Sequence, residues 1–514
     1  MILKIEILDN EYWWGGAVTD SDKFPFGKDS HFKSELLGGE GNQSMPLFIS
    51  SKGRAIWSEE PFELSSEDGV ITVNGDDVQL STEGDCLRDA YLGAMRKHFS
   101  FDGKPLPERF FETAQYNTWM EFTYDPTQKS VLEYAHAIID NGYKPGILII
   151  DEGWHTRYGL WEFDLAKFPD PKGMIDELHS LGFTVMLWVV PFFTCDGLGF
   201  VKATRSFDGV ERKLPFLLTD DGEIALMRWW NGYSAILNMC IPEGREFLDE
   251  RLQRLINDYG VDGFKFDGGN LIHYSNSCIA NGKQTKYSAA ELNIAWSRFG
   301  ERYLYHEYKD TFKGGGRSVI QRIRDRAHSW DGEGLSSLIP FALAQGILGY
   351  PFICPDMIGG GQWSVMLDPS FRCDDELFVR MAQCSALFPM MQFSLAPWRA
   401  VGKEAQELCV KAAELHAEFA PYIKSLVRES VLSGEPIVRS LEYSYPHNNY
   451  ELINDQFLLG DDYLVCPVIT KGATERTAIL PEGRWQYVDG TVYNGGKTVT
   501  VPAAISVLPY FKKI

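Results

Sequence analysis

No stretch of this chain is an uninterrupted apolar twenty-mer, so a membrane-spanning helix is not expected. The opening MILKIEILDNEYWW lacks a basic leader followed by a long apolar run and a small-residue cleavage site, and the expectation is a soluble, cytoplasmic protein. The nine cysteines (86, 195, 240, 278, 354, 373, 384, 409 and 466) show no C-x-x-C spacing and are expected to be reduced thiols, not a disulfide framework. Positive charge is in deficit. Lys and Arg number 49 against 71 Asp and Glu, a net charge of −22 that repels nucleic acid and anionic membranes. The ten histidines form neither H-E-x-x-H nor H-x-H, and no metal is expected. There is no G-x-S-x-G elbow, no P-loop and no early G-x-G-x-x-G after a strand, so no cofactor is expected either.

What is present is a 514-residue chain, long enough for two or three domains. Aromatics make up 13% of it, with 14 Trp and 23 Tyr, which serves a large core and also supplies platforms for the apolar faces of sugar rings. Residues 1–110 alternate polar and apolar in short runs (ILKIEIL, RAIWSE, FELSSE, GVITVNG), the pattern of a β-sandwich. Within them Tyr12-Trp13-Trp14-Gly15-Gly16 reads either as interdomain packing or as a loop reaching a substrate cleft. From about residue 112 strands and helices alternate. Apolar runs end at Asp151 (GILIID) and near Trp230 (IALMRWW), and others cover Phe183 to Phe192, YLYHEY, RSVIQRIRD, PFICPD and MMQFSLAP. With Phe264 to Asp267 that makes eight strands, the rhythm of a (β/α)8 TIM barrel over residues 111–425; a doubly wound open sheet is the second choice. Residues 403 to 430 read as an amphipathic helix, and short strands return over 426–514 as a C-terminal β domain. The fold class expected is therefore multidomain, α/β plus all-β.

The stretch VDGFKFDGGN carries the chemistry. Phe264 to Asp267 is a short buried strand whose aspartate emerges at the C-terminal edge, and Gly268 and Gly269 let the backbone turn there. Asp151, Asp325 and Asp356 sit at other strand mouths, and barrel geometry brings such ends round one rim. Each could instead cap a helix or close a turn. Carboxylates with Trp188, Trp229, Trp230 and Trp363 suit glycoside hydrolysis, in which one ionised carboxylate attacks and one protonated carboxyl donates. Lys265 and Arg322 alternate onto the same surfaces; a cation beside Asp267 would hold it ionised, and either is otherwise a satisfied ion pair inside the barrel. His306 fits a buried hydrogen-bonding role better than a cleft, and His328 either contacts substrate or orients its loop.

These motifs resemble glycoside hydrolase family 31, in particular its α-galactosidase-like, myogenesis-regulating glycosidase branch. The resemblance spans most of the chain and implies a β-sandwich, a (β/α)8 barrel and C-terminal β structure, with metal-free retention by two aspartates. By motif, FKFDGG makes Asp267 the nucleophile and Lys265 a sugar contact. IIDEGW makes Asp151 the first-strand sugar contact, with Glu152 beside it, and MRWWNG matches the third-strand aromatic motif. GYPFICPDMIGG makes Asp356 a substrate contact. For the acid/base the resemblance favours Asp325 in RIRDRAHSW, five residues before Trp330 and three after Arg322, with Asp331 and then Glu333 as alternatives. Trp14, Asp151, Glu152, Trp188, Trp230, Lys265, Arg322 and Asp356 are the expected pocket wall. The resemblance implies an exo-acting α-galactosidase, with an α-glucosidase or related α-glycosidase as alternative. A non-catalytic carbohydrate-binding protein is the reading of another class. The partner expected is an oligosaccharide or small α-glycoside, with neither nucleic acid nor membrane, and a homo-oligomer stays open.

Overall fold

The computed structural model describes residues 2–36, 41–205, 213–274, 285–364 and 371–514. Its N-terminal part holds two four-stranded antiparallel sheets. One runs in the order Ile2–Glu6, Val70–Asn74, Glu63–Glu67, Phe32–Glu35; the other runs Trp13–Ala17, Ser44–Ser50, Arg54–Trp57, Gln79–Thr82. ELSSE at Glu63–Glu67 alternates exposed and buried, as a strand with one wet face must, whereas Ser44–Ser50 is buried along its whole length.

Ser44–Ser50 is buried because its first residue meets the central barrel at Phe312 and Tyr350 and the rest is covered by the helix Leu87–His98 and by Phe26, Phe32 and Phe62. The eight parallel barrel strands are β1 (Gln115–Asn117), β2 (Ile147–Ile150), β3 (Thr184–Val189), β4 (Gly263–Phe266), β5 (Tyr305–Tyr308), β6 (Ile320–Arg322), β7 (Ile353–Cys354) and β8 (Gln392–Phe393). They pair in the order β7-β6-β5-β4-β3-β2-β1-β8, and a single parallel bridge between Ile358 and Phe393 spans the remaining gap. The ring is thus nearly closed. β2 and β4 are buried at every residue, because helices cover their outer side and the barrel interior their inner side. Helices form where caps and apolar spacing agree. Gln128–Asp140 and Ala289–Phe299 begin with capping boxes at Thr127/Ser130 and Ser288/Glu291, and Pro171–Ser180 begins on Asp170 with Pro171 in its first turn.

One expected barrel strand lies elsewhere. Leu226–Trp229 pairs antiparallel with Gly232–Ile236, which pairs with Phe192–Phe193, in a three-stranded excursion between β3 and the helix Pro242–Arg254. Its tight turn passes through Gly232 at φ +98°. The sequence LMRW has one buried face only, unlike the barrel strands. The strand that takes its place in the ring is β1, Gln115–Asn117, too short and too polar to announce itself by propensity.

A 31-residue helix, Lys403–Ser433, ends at Gly434 in the left-handed conformation and runs through the expected 425/426 domain limit. Beyond it lie a six-stranded sheet and a two-stranded ribbon. Arg380, on the helix Asp375–Ala386, is buried at this seam and donates to the carbonyls of Ala503, Val507, Ala504 and Ala473. Among the described residues no helix is long and apolar enough to cross a membrane. Cys86, Cys354, Cys384, Cys409 and Cys466 are buried free thiols, and Cys195, Cys240 and Cys373 are half-buried ones; Cys278 lies outside the described residues.

The N-terminal sheets grip the barrel close to its mouth. Ser44 N–H donates to the Thr311 carbonyl (3.0 Å), and Lys313 N–H to that of Ser44 (2.9 Å). Fully buried Gln43 donates from one Nε2 to the carbonyls of Lys309 (2.7 Å) and Arg322 (2.9 Å), and its Oε1 accepts from Gln345 (2.8 Å). Gln43→Leu keeps the volume but strips both carbonyls of their donor. It is expected to cost about 2 kcal/mol, read as a lower urea midpoint by tryptophan fluorescence; an unchanged midpoint would show that this seam contributes little stability.

Candidate active site

The C-terminal ends of the barrel strands enclose a cavity of about 230 Å³. β2 delivers Asp151 and Glu152 to it, β3 Trp188, β4 Lys265 and Asp267, β5 Lys309 and β6 Asp325. Trp119 and Tyr124 after β1, Trp363 after β7 and Trp230 from the excursion complete the wall. The aromatics are set edge to face, with Trp119–Tyr124 at 5.2 Å, Tyr124–Trp363 at 5.8 Å and Trp119–Trp363 at 6.4 Å. Trp230, 47% exposed, packs against the rings of Trp229 and His273.

The floor is polar. Lys265 Nζ donates to Asp151 Oδ2 at 2.6 Å, and the same oxygen accepts from Asn117 Nδ2 at 2.8 Å. Lys265 thus forms an ion pair inside the barrel, and it acts on Asp267 through its field while its hydrogen bond goes to Asp151. Asp267 accepts from Trp188 Nε1 (3.0 Å) and from Gly268 N–H (2.8 Å). Burial works against its charge, but Lys309, then Lys265, then these two donors prevail and hold it well below the usual carboxylate range. The turn behind it needs glycine. Gly268 and Gly269 both have positive φ (+62° and +64°), and a Cβ on Gly269 would stand 2.5 Å from the Trp296 ring. Buried Asn293 pins this turn by donating to the Gly269 carbonyl (2.9 Å) and to Asp310 Oδ1 (2.7 Å).

Asp325, half-buried, accepts from Lys309 Nζ at 3.1 Å and from Arg322 Nη1 at 3.2 Å. Burial opposes its ionisation, yet Lys309 and Arg322 outweigh burial and lower its pKa. Glu152 differs. Burial is its strongest influence, and despite hydrogen bonds from Tyr158 Oη (2.6 Å) and Asn231 Nδ2 its pKa is pushed up to about 7. Asp151 and Asp267 nearby add to the rise.

Several expected wall residues stand elsewhere. Arg322 is wholly buried behind the wall, its Nη2 bonded to Asp356 Oδ1 (3.0 Å) and its Nε 3.4 Å from Glu307. Asp356 is likewise behind, held by Arg322 and the Arg326 N–H (2.6 Å). Trp14 packs in a crevice with Leu87, Pro340 and Leu343, so the Trp-Trp-Gly-Gly segment is interdomain packing. Its glycines let Phe48 close in: a Cβ on Gly15 would stand 2.6 Å from Phe48 Cα. Trp229 lies behind Trp230, bonded to Ser234 Oγ. Asp331 closes an exposed turn, accepting from Ser329 Oγ and Glu333 N–H, and Glu333 is 64% exposed beside Arg324; neither lines the cavity. His306 is buried between the carbonyls of Tyr303 and Ser318, and His328 ties Gly359 to Asp374.

Sequence reasoning passed over Lys309, Trp119, Tyr124, Tyr158 and Asn231. Lys309 directly follows β5, so the strand-mouth rule applied to cations would have found it. Trp119 and Tyr124 follow a strand that had no propensity signal.

Residues 105–426 match the glycosyl hydrolases family 31 TIM-barrel domain, and residues 434–513 the glycosyl hydrolase family 31 C-terminal domain. The chain is 34% identical over 413 residues to the myogenesis-regulating glycosidase of Mus musculus, covering 78% of this chain and 56% of that protein. It is 26% identical over 424 residues to a 1,3-alpha-isomaltosidase of Kribbella flavida (76% and 53% covered). With alpha-glucosidase 2 of Bacillus thermoamyloliquefaciens it shares 25% over 512 residues (92% and 62%). The chain thus spans little more than half the length of these relatives. A Flavobacterium johnsoniae GH31 dextranase complexed with glucose superposes over all of this chain and 66% of its own, with a TM-score of 0.81 at 20% identity, a likeness of fold.

Glu152 has a consequence for stability. Its folded pKa of about 7 lies above the ordinary 4.5, so the folded state keeps a proton that the unfolded chain releases. Stability is therefore lost as pH rises from about 4.5 through about 7. Glu152→Gln cannot ionise and escapes this loss. Relative to wild type it is expected to gain about 3 kcal/mol between pH 4 and pH 8, measured by urea unfolding; parallel pH curves would show that Glu152 does not carry the effect.

Proposed function

The chain belongs to glycosyl hydrolase family 31, and from that premise we propose that it is a retaining, exo-acting α-glycosidase of glucose-configured substrates. The galactose preference implied by the branch resemblance is corrected. Matched relatives include alpha-glucosidases, a 1,3-alpha-isomaltosidase, an isomaltosyltransferase and alpha-xylosidases. The physical reason is that an axial and an equatorial 4-hydroxyl differ only in where donors and acceptors must stand, which a strand motif does not encode.

One observation carries the proposal: Asp267, held ionised, shares an aromatic-walled pocket with Asp325. A cavity of about 230 Å³ accommodates little more than one ring, which suits a terminal sugar. In the first half-reaction the Asp267 carboxylate attacks C1 as the bond to the leaving oxygen breaks, its electron pair receiving a proton from Asp325. In the second, Asp325 takes a proton from water, the water oxygen bonds to C1, and the C1–O bond to Asp267 breaks with its electron pair returning to the carboxylate. The α configuration is thereby kept. Asp151 and Lys265 serve as hydrogen-bonding groups for sugar hydroxyls, Trp188 and Trp230 as stacking faces, and Glu152 as a further polar contact. Arg322 and Asp356 act from behind the wall, through Asp325. A cytoplasmic location is supported by the free thiols among the described cysteines.

Turnover of 4-nitrophenyl α-glucoside above the α-galactoside, with the α anomer appearing first by NMR, is the expected outcome. Asp267→Asn is expected to lower kcat/KM at least about 1,000-fold. Asp325→Asn should do the same for poor leaving groups but spare 2,4-dinitrophenyl glucoside in the first half-reaction. Absence of turnover on α-glucoside, α-xyloside and isomaltose by the wild type would overturn the reading.

A further inference from the structure

Among the described residues, Lys309 is the pocket lysine whose ammonium hydrogen-bonds to the proposed acid/base, and the sequence motifs assign it no task. Its Nζ donates to Asp325 Oδ2 at 3.1 Å, its side chain is 16% exposed, and it lines the same cavity as Asp267. Its backbone is fixed from two directions. The Lys309 carbonyl accepts from Gln43 in the N-terminal part, and the next residue, Asp310, is bonded to the Asn293 that also holds the Gly269 carbonyl. The ammonium and the Asp267 turn are therefore parts of one braced unit. We propose, resting on the glycosidase reading above, that Lys309 is a positioning residue that fixes Asp325 as the base of the second half-reaction.

The charges facing Asp325 explain why. From β6 comes Arg322, which it shares with Glu307 of β5 and Asp356 behind β7. Lys265 and Asp267 face it from β4, with Asp151 behind Lys265, and His273 lies near Asp267 and Lys309. In the free site Lys309 is divided between two anions, Asp325 and Asp267. Once C1 is esterified to Asp267 that anion is gone, and Asp325 has the ammonium to itself. Asp325 is then an aimed carboxylate at the moment when the water must lose its proton. Arg322 alone, divided among three carboxylates, is a weaker counter-ion. The same ammonium works against the first half-reaction, where Asp325 must hold a proton, so a substrate that needs no acid isolates the role of Lys309.

2,4-Dinitrophenyl α-glucoside is such a substrate, and hydrolysis of the glycosyl-enzyme then limits kcat. In Lys309→Met and in Lys309→Gln, both checked for folding by thermal melting, the acid limb of kcat is expected to move up by at least about one pH unit. On the acid side of the wild-type limb kcat should therefore fall about tenfold with KM unchanged or lower, and the glucosyl adduct on the Asp267 peptide should accumulate there by mass spectrometry. Lys309→Arg should restore most of the wild-type profile. A uniform loss at every pH, an unmoved limb, or a raised KM with kcat intact would overturn the proposal, the last by making Lys309 a direct sugar contact. A wild type that forms no glucosyl adduct on Asp267 would instead sink the glycosidase reading, and the proposal with it.

Discussion

A lysine and an aspartate, each almost wholly withdrawn from water, meet 2.6 Å apart at the mouth of the barrel, Lys265 to Asp151. Around this pair the barrel interior departs from the packed apolar layers that such barrels ordinarily use. Asn117 leans on one side; Glu307, Arg322 and Asp356 continue the charged layer on the other. Desolvating so many charges is expensive, and replacing a buried ion pair by well-packed apolar groups is often neutral or stabilising. Removing one partner, however, leaves the other charge bare and costs about 3–5 kcal/mol. The layer therefore persists only as a whole, which is how a site fixed for chemistry rather than for stability behaves.

That layer divides the labour in the pocket. Within it Lys265, Asp151, Glu307, Arg322 and Asp356 each pair with a group from another strand or strand end. Above it stand groups with room for a ligand: Asp267, Asp325, Lys309 and the aromatic wall. Asp267 and Glu152 show how far environment separates two carboxyls in one cavity. The first has two cations and two donors and stays ionised; the second has neutral donors only, and burial lifts it to about 7. Acidity here is set by the company each group keeps.

Much of this was legible in the chain. The strands ending at Asp151 and Asp267 could be read because their apolar runs are unbroken and end abruptly on an acid and glycines. The N-terminal and C-terminal β regions could be read from alternation and turn residues. Gln115–Asn117 could not, since its strand character comes wholly from the β2 and β8 neighbours that it pairs with. Leu226–Trp229 misled for the opposite reason: local β propensity is real there, but its partner is a hairpin arm and not the barrel. Trp14 and Arg322 illustrate a third limit. Aromatic or cationic character at a strand or its end is visible in sequence, but whether the side chain reaches the cavity or stops one layer behind depends on neighbours far away in the chain.

The N-terminal sheets show where reading by domains fails altogether. Composition separates them from the barrel cleanly, and nothing in their alternation suggests a part in chemistry. Yet Gln43 holds the carbonyls of Lys309 and Arg322, the two residues whose cationic groups both hydrogen-bond to Asp325. An amide nitrogen has two hydrogens, and here both are used on β5 and β6 ends that must keep a fixed separation if one carboxylate is to bridge them. The constraint on Asp325 thus begins in a residue about 280 positions earlier, carried by main-chain carbonyls whose positions no side-chain pattern reveals. A barrel of this kind without its N-terminal sheets would keep its aspartates and lose the brace that holds their counter-ions in place.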